Sequence, residues 1–131
     1  MNFSQLTVLA AVAFFLFLFV RSRLRQRSVT QYMPSDLAGR IGKDPSLLLL
    51  DVRTRAEYDN RHIKGALHIP LHELSSRLQE LERHRQKMIV CCCQSGHRSM
   101  HAASVLHKAG YMVANLKGGM AAWNFHNLSH S

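Results

Sequence analysis

Met88-Ile89-Val90-Cys91-Cys92-Cys93-Gln94-Ser95-Gly96-His97-Arg98 decides how this chain is read. Met88 to Cys92 is a short, unbroken apolar run, the pattern of a strand buried on both faces. A tight loop follows from Cys93, and helical spacing starts near His97. Ala102, Val105, Leu106 and Ala109 recur on one side of that helix, and Gly110 stops it. A strand that feeds a loop into a helix N-terminus aims free backbone N–H groups into one concavity. The helix dipole and Arg98 add positive potential there. A cysteine at the start of such a loop is expected to ionise at neutral pH, and Gly96 supplies the backbone freedom of the turn. A thiolate in an anion cradle is a nucleophile for electrophilic sulfur or phosphorus.

The same pattern extends outward. Leu47-Leu48-Leu49-Leu50 with Asp51-Val52 reads as a second strand buried on both faces, Leu67 to Pro70 as a shorter one, and Tyr111 to Leu116 as another. Pro34, Ser35 and Asp36 open a helix that carries Leu37 and Ile41 and stops at Gly42. Leu71, Leu74, Leu78 and Leu81 line one helical face, and Gly118-Gly119 turns the chain into a short closing helix, Met120 to Trp123. Strands alternating with helices predict an α/β fold with a central, mainly parallel sheet flanked by helices. Ligands of such sheets sit beyond the carboxyl ends of the strands, where residues 93–98 lie.

The 131 residues suffice for one domain, and the charge of +9 is unevenly spread. Arg21, Arg23, Arg25 and Arg27 contribute +4 to a first thirty residues that hold no acid. They follow Phe3 to Val20, an uncharged apolar stretch that as a helix would span ~27 Å of a ~30 Å hydrocarbon core. Basic residues after the apolar run, with no small-residue cleavage pattern, favour an anchor over a cleavable leader. The positive-inside bias then predicts a single pass through the inner membrane, with the soluble domain in the cytoplasm. No aromatic side chains interleave the arginines, so no nucleic acid partner is expected. Three adjacent cysteines do not make a disulfide framework. His97 and His101 are four apart on a helix, but no carboxylate or cysteine completes a set, so neither metal nor cofactor is expected.

Four stretches in order resemble the rhodanese-homology family of sulfurtransferases, from about Ser35 to Trp123. They are Leu50-Asp51-Val52-Arg53 with Glu57-Tyr58, His62 to Pro70, Cys93 to Ser99, and Leu116 to Trp123. The likeness is to single-domain members, and the anchor matches the membrane-attached bacterial ones. Where this chain has Arg61 before His62, the family commonly has glycine. The resemblance implies that Cys93 takes a sulfane sulfur from a donor such as thiosulfate, becomes a persulfide, and passes the sulfur to a thiophilic acceptor. It implies that Gln94, Ser95, Gly96, His97 and Arg98 hold the persulfide through their amides, with Asp51, Arg53 and Ser99 in support. Counted from Cys93 the loop is C-x4-R; counted from Cys92 it is C-x5-R, the spacing of related phosphatases. Strand alternation points Cys92 and Cys93 to opposite faces and favours the first frame. The expected partners are the membrane, through residues 3–20, and a small anionic sulfur donor or a protein persulfide. The alternative is a tethered sulfur-carrier or redox-sensing module with little turnover. The domain plan is 3–20 transmembrane helix, 21–33 basic linker, 34–126 rhodanese-like domain and 127–131 tail.

Overall fold

The computed structural model describes residues 1–26 and 29–129. Parts of the stretches read as linker and tail, residues 27–28 and 130–131, lie outside the described residues. Helix α1 is Phe3–Gln26. Its span Phe3–Leu24 is long and apolar enough to cross a membrane, and none of it is buried in the rest of the chain. The helix runs on through Arg21 and Arg23 into the stretch read as linker, because nothing there breaks it: arginine is a good helix former.

Five strands follow: β1 Thr30–Tyr32, β2 Leu47–Asp51, β3 Leu67–His68, β4 Met88–Cys92 and β5 Met112–Leu116. They form one sheet in the order β1-β5-β4-β2-β3, and every neighbouring pair is parallel. Strand β1 corrects the linker reading. Thr-Gln-Tyr carries no apolar run of its own, and it is a strand because the edge of β5 offers it partners, with Gln31 opposite Asn115.

The unbroken apolar runs are explained by a sheet covered on both sides. Leu50, Ile89, Cys91, Cys93 and Val113 point into one core, and Leu49, Val90, Cys92, Ala114 and Leu116 into the other. Helices α4 Leu71–Leu74 and α5 His97–Lys108 cover the first face, through Leu74, Ala102 and Leu106. Helices α2 Pro34–Ala38 and α6 Gly119–Ser129 cover the second, through Leu37 and Met120. Helix α3, Arg55–Asn60, joins β2 to β3.

Three helical readings need correction. Leu71 to Leu81 is not one helix but α4 followed by a 3-10 segment, Leu78–His84. Leu74 and Leu81 still both reach the core, so burial selects the apolar positions and tolerates a break between them. The closing helix runs eleven residues to Ser129, past Trp123 and into the stretch read as tail. On α5, Ser99 and Ala103 are buried, whereas Val105 and Ala109 are partly exposed.

At the carboxyl end of β2 a buried ion pair ties three elements together. Asp51 is fully buried, and Arg53 is 4% exposed. Arg53 donates to both carboxylate oxygens, at 2.7 Å from Nη2 to Oδ2, and the same Nη2 donates to the Arg61 carbonyl at 2.7 Å. His68 Nε2 bonds the Arg53 carbonyl at 2.8 Å. Arg61 has φ −163°, an extended conformation open to any residue, so an arginine is accommodated there without strain. Asp51→Ala leaves the Arg53 guanidinium buried without its counter-charge. Denaturant unfolding of the full chain in detergent should show a loss of about 3–5 kcal/mol.

Candidate active site

The loop from Cys93 leaves β4 at the level where β2 ends in Asp51, opposite Cys92. Gly96 closes the turn with φ +108°, a conformation that L side chains avoid. A Cβ there would find room, its nearest neighbour being Gly118 N at 3.7 Å, so the backbone angle alone calls for glycine. The Gly96 amide donates to Cys93 Sγ at 3.0 Å, and Ser99 Oγ lies 3.3 Å from the same sulfur. Burial opposes ionisation of Cys93, but the Ser99 hydroxyl and the amides of Ser99, Gly96 and Ser95 outweigh it, and the thiol titrates below its ordinary range. Of the five loop amides expected to face the sulfur, those of Ser95 and Gly96 act on it and the Ser99 amide joins them, whereas those of Gln94, His97 and Arg98 do not figure among its donors. Gln94, Ser95 and His97 present their side chains to solvent.

The neighbouring cysteines behave oppositely. Burial pushes the Cys91 thiol up to about 12 and the Cys92 thiol well above its usual range. Cys92 lies in the other core, away from the loop amides. The Gly96 amide thus faces the sulfur of Cys93 and not that of Cys92.

Helix α6 holds the loop from behind. Its first amides donate outward: Met120 N to the Cys93 carbonyl at 2.8 Å, and Ala121 N to the Gln94 carbonyl at 3.1 Å. Such close backbone contact excludes a side chain at Gly119, where a Cβ would meet Cys93 O and Gln94 C at 2.3 and 2.8 Å. The double glycine, readable only as a turn, is thus part of the site.

Arg98 is not a free charge. Its Nη1 and Nη2 donate to Glu57 Oε2 and Oε1, both at 2.8 Å. Glu57 also accepts from Thr54 N at 2.8 Å, the return half of the capping box that opens α3. The Arg98 guanidinium, helped by Thr54, holds the Glu57 carboxyl at about 2. One carboxylate therefore fixes both the start of α3 and the end of the loop. Asp51 and Arg53 serve by holding the end of β2. Among the described residues no group of three or more His, Cys, Asp or Glu could hold a metal ion.

Sequence alone does not mark Glu57, Asn115 or Gly119 as site residues. The Thr54-x-x-Glu57 spacing signals a cap, but nothing in it announces Arg98. Asn115 looks like an odd polar residue in an apolar strand. It is buried and receives a hydrogen bond from Ser99 at 2.5 Å.

A model of the rhodanese-like domain matches residues 33–126. A sulfurtransferase of Allochromatium vinosum is 37% identical over 76% of this chain and 92% of its own. A Bacillus subtilis protein provisionally named a sulfur carrier is 41% identical over 64% of this chain and 45% of its own. Among solved structures, a rhodanese-related protein of Thermoplasma volcanium superposes with a TM-score of 0.67 at 28% identity, covering 74% of this chain and 92% of that one.

Two outcomes test the geometry. Gly119→Ala should displace the loop and slow alkylation of Cys93 by about a hundredfold, as misplacements near 1 Å do; an unchanged rate would mean the backbone contact is immaterial. The depressed Glu57 carboxyl contributes stability that is complete above its ordinary 4.5 and lost as pH falls toward about 2. Glu57→Gln should flatten that segment of the stability–pH curve.

Proposed function

Since the chain belongs to the rhodanese-like domain family, we propose that it is a sulfurtransferase in which Cys93 carries the sulfur as a persulfide. The observation that carries this reading is the lowered thiol of Cys93 under the Gly96 amide and Ser99 hydroxyl, beside two cysteines raised by burial. The Cys93 thiolate attacks the outer sulfur of thiosulfate. The new S–S bond forms as the old one breaks, and sulfite leaves with the electron pair. The persulfide anion keeps the amides of Ser95, Gly96 and Ser99 as donors. A nucleophilic acceptor, cyanide or a thiolate, then attacks the outer sulfur and returns the Cys93 thiolate. Arg98 positions the loop through Glu57 and supplies little net charge to an anionic donor.

Helix α1 anchors the enzyme in the inner membrane with the domain on the cytoplasmic side. Support comes from the exposed apolar span and the arginines that end it. Leu18, Arg21 and Ser22 of α1 share a cleft of about 700 Å³ with His97, Met100 and His101 of α5. In this reading the helix that follows the loop lies near the lipid boundary.

A second reading is a sulfur carrier with little turnover, and the relative provisionally so named favours it. The full chain in detergent, given thiosulfate and cyanide, should produce thiocyanate over many turnovers. A reductant-labile mass gain of one sulfur should map to Cys93. Cys93→Ser should abolish both, whereas Cys92→Ser should leave the site working. A persulfide without turnover would select the carrier, and no sulfur gain from any sulfane donor by folded protein would end both readings. Resistance of the membrane-bound chain to alkaline extraction tests the anchor.

A further inference from the structure

Ser99 has one hydroxyl hydrogen and three acceptors in reach. They are Cys93 Sγ at 3.3 Å, the Gly96 carbonyl at 3.2 Å and Asn115 Oδ1 at 2.5 Å. The shortest contact marks Asn115 as the acceptor. With its hydrogen committed there, Ser99 shows only lone pairs to sulfur, and the S–H of a neutral Cys93 donates to it. Asn115 Nδ2 donates in turn to Gln31 Oε1 at 2.9 Å, and Gln31 Nε2 meets Met100 Sδ at 3.2 Å. All the donors therefore run one way, from sulfur to β1. Ser99 and Asn115 are 0% and 3% exposed, so water does not substitute for either partner.

The same heavy atoms also serve with reversed polarity. Half a turn of the Asn115 amide brings Nδ2 toward Ser99 and Oδ1 toward Gln31. The exposed Gln31 amide turns likewise and offers Nε2 to that oxygen. Ser99 then accepts from Asn115, and its hydroxyl hydrogen is free to point at sulfur. The first polarity suits a thiol, which has a hydrogen to give. The second suits a thiolate or a persulfide anion, which needs donors. Only the thiol proton leaves, to water; nothing else changes its covalent partner.

We propose that Asn115 and Gln31 are positioning residues for the nucleophile: with Ser99 they form a hydrogen-bond chain whose polarity follows the charge on Cys93 and sets how readily that thiol ionises. The proposal rests on Cys93 as the nucleophile and not on turnover. The other groups around Cys93 have fixed roles. Arg98 is paired with Glu57 from α3, Arg53 with Asp51 at the end of β2, and Cys91 and Cys92 on β4 are held neutral by burial. His97 points to solvent, and α6 presents to the loop the amides of Met120 and Ala121. The chain through Asn115 is the adjustable contribution, and it ends on the first strand after the N-terminal helix.

The test is the pH profile of iodoacetamide alkylation of Cys93 in the full chain in detergent, with the adduct located by peptide mass. A Gln31→Glu carboxylate can only accept, so it holds Asn115 Nδ2 toward itself and fixes the first polarity. The residue is exposed, and folding is not at stake. The profile should move up by about one pH unit, a tenfold slower reaction below the midpoint, with the alkaline plateau unchanged. Gln31→Asp brings the same charge on a shorter arm that does not reach Asn115, and its profile should match wild type. Superimposable Gln31→Glu and wild-type profiles would overturn the proposal. So would an equal shift in Gln31→Asp, which would assign the effect to charge at a distance. A shifted profile in a protein that transfers no sulfur would count against the sulfurtransferase reading and leave this chain standing.

Discussion

The site depends on the donation of two α6 amides to the carbonyls of Cys93 and Gln94. A planar trans peptide points its C=O and N–H in opposite directions. Tying the Gln94 carbonyl to Ala121 therefore turns the Ser95 amide the other way, toward the sulfur that it helps to hold ionised. The loop is a cradle because a helix from the far end of the chain grips its outer rim. Gly119 is needed because that grip is backbone against backbone.

A second constraint acts from the other side. Arg98 and Glu57 make two parallel charge-assisted bonds, and Glu57 is also the reciprocal cap of α3. The loop end, the start of α3 and, through Arg53 and Asp51, the end of β2 form one connected polar frame. In such a frame an arginine of the loop acts as a strut. The groups that stabilise the ionised sulfur are the Ser99 hydroxyl and the amides of Ser99, Gly96 and Ser95, neutral dipoles that need no counter-ion and are already oriented by the fold.

The polar chain through Ser99, Asn115 and Gln31 shows how strand register becomes chemistry. Asn115 points to the same face of the sheet as Val113 because side chains alternate along β5, and that face is the one α5 covers. A one-residue slip of β5 would send Asn115 to the opposite core and leave Ser99 without its acceptor.

Periodicity and turn chemistry made much of the molecule legible. The unbroken apolar runs of β2 and β4 called for a sheet covered on both sides, and the run before residue 21 called for a helix apolar on all sides. Cys93 was marked by standing between a buried strand and a helix start, and strand alternation separated it from Cys92. These features depend on neighbours in the chain, which a sequence displays directly. Strand β1, the Arg98–Glu57 pair and the Gln31–Asn115 contact depend on residues 41 to 84 positions apart. Three residues without apolar character become a strand only when an edge is waiting for them. A loop arginine is a strut only when a carboxylate from another element faces it. Those partners are chosen by packing in three dimensions, and only the folded chain brings them within hydrogen-bonding distance.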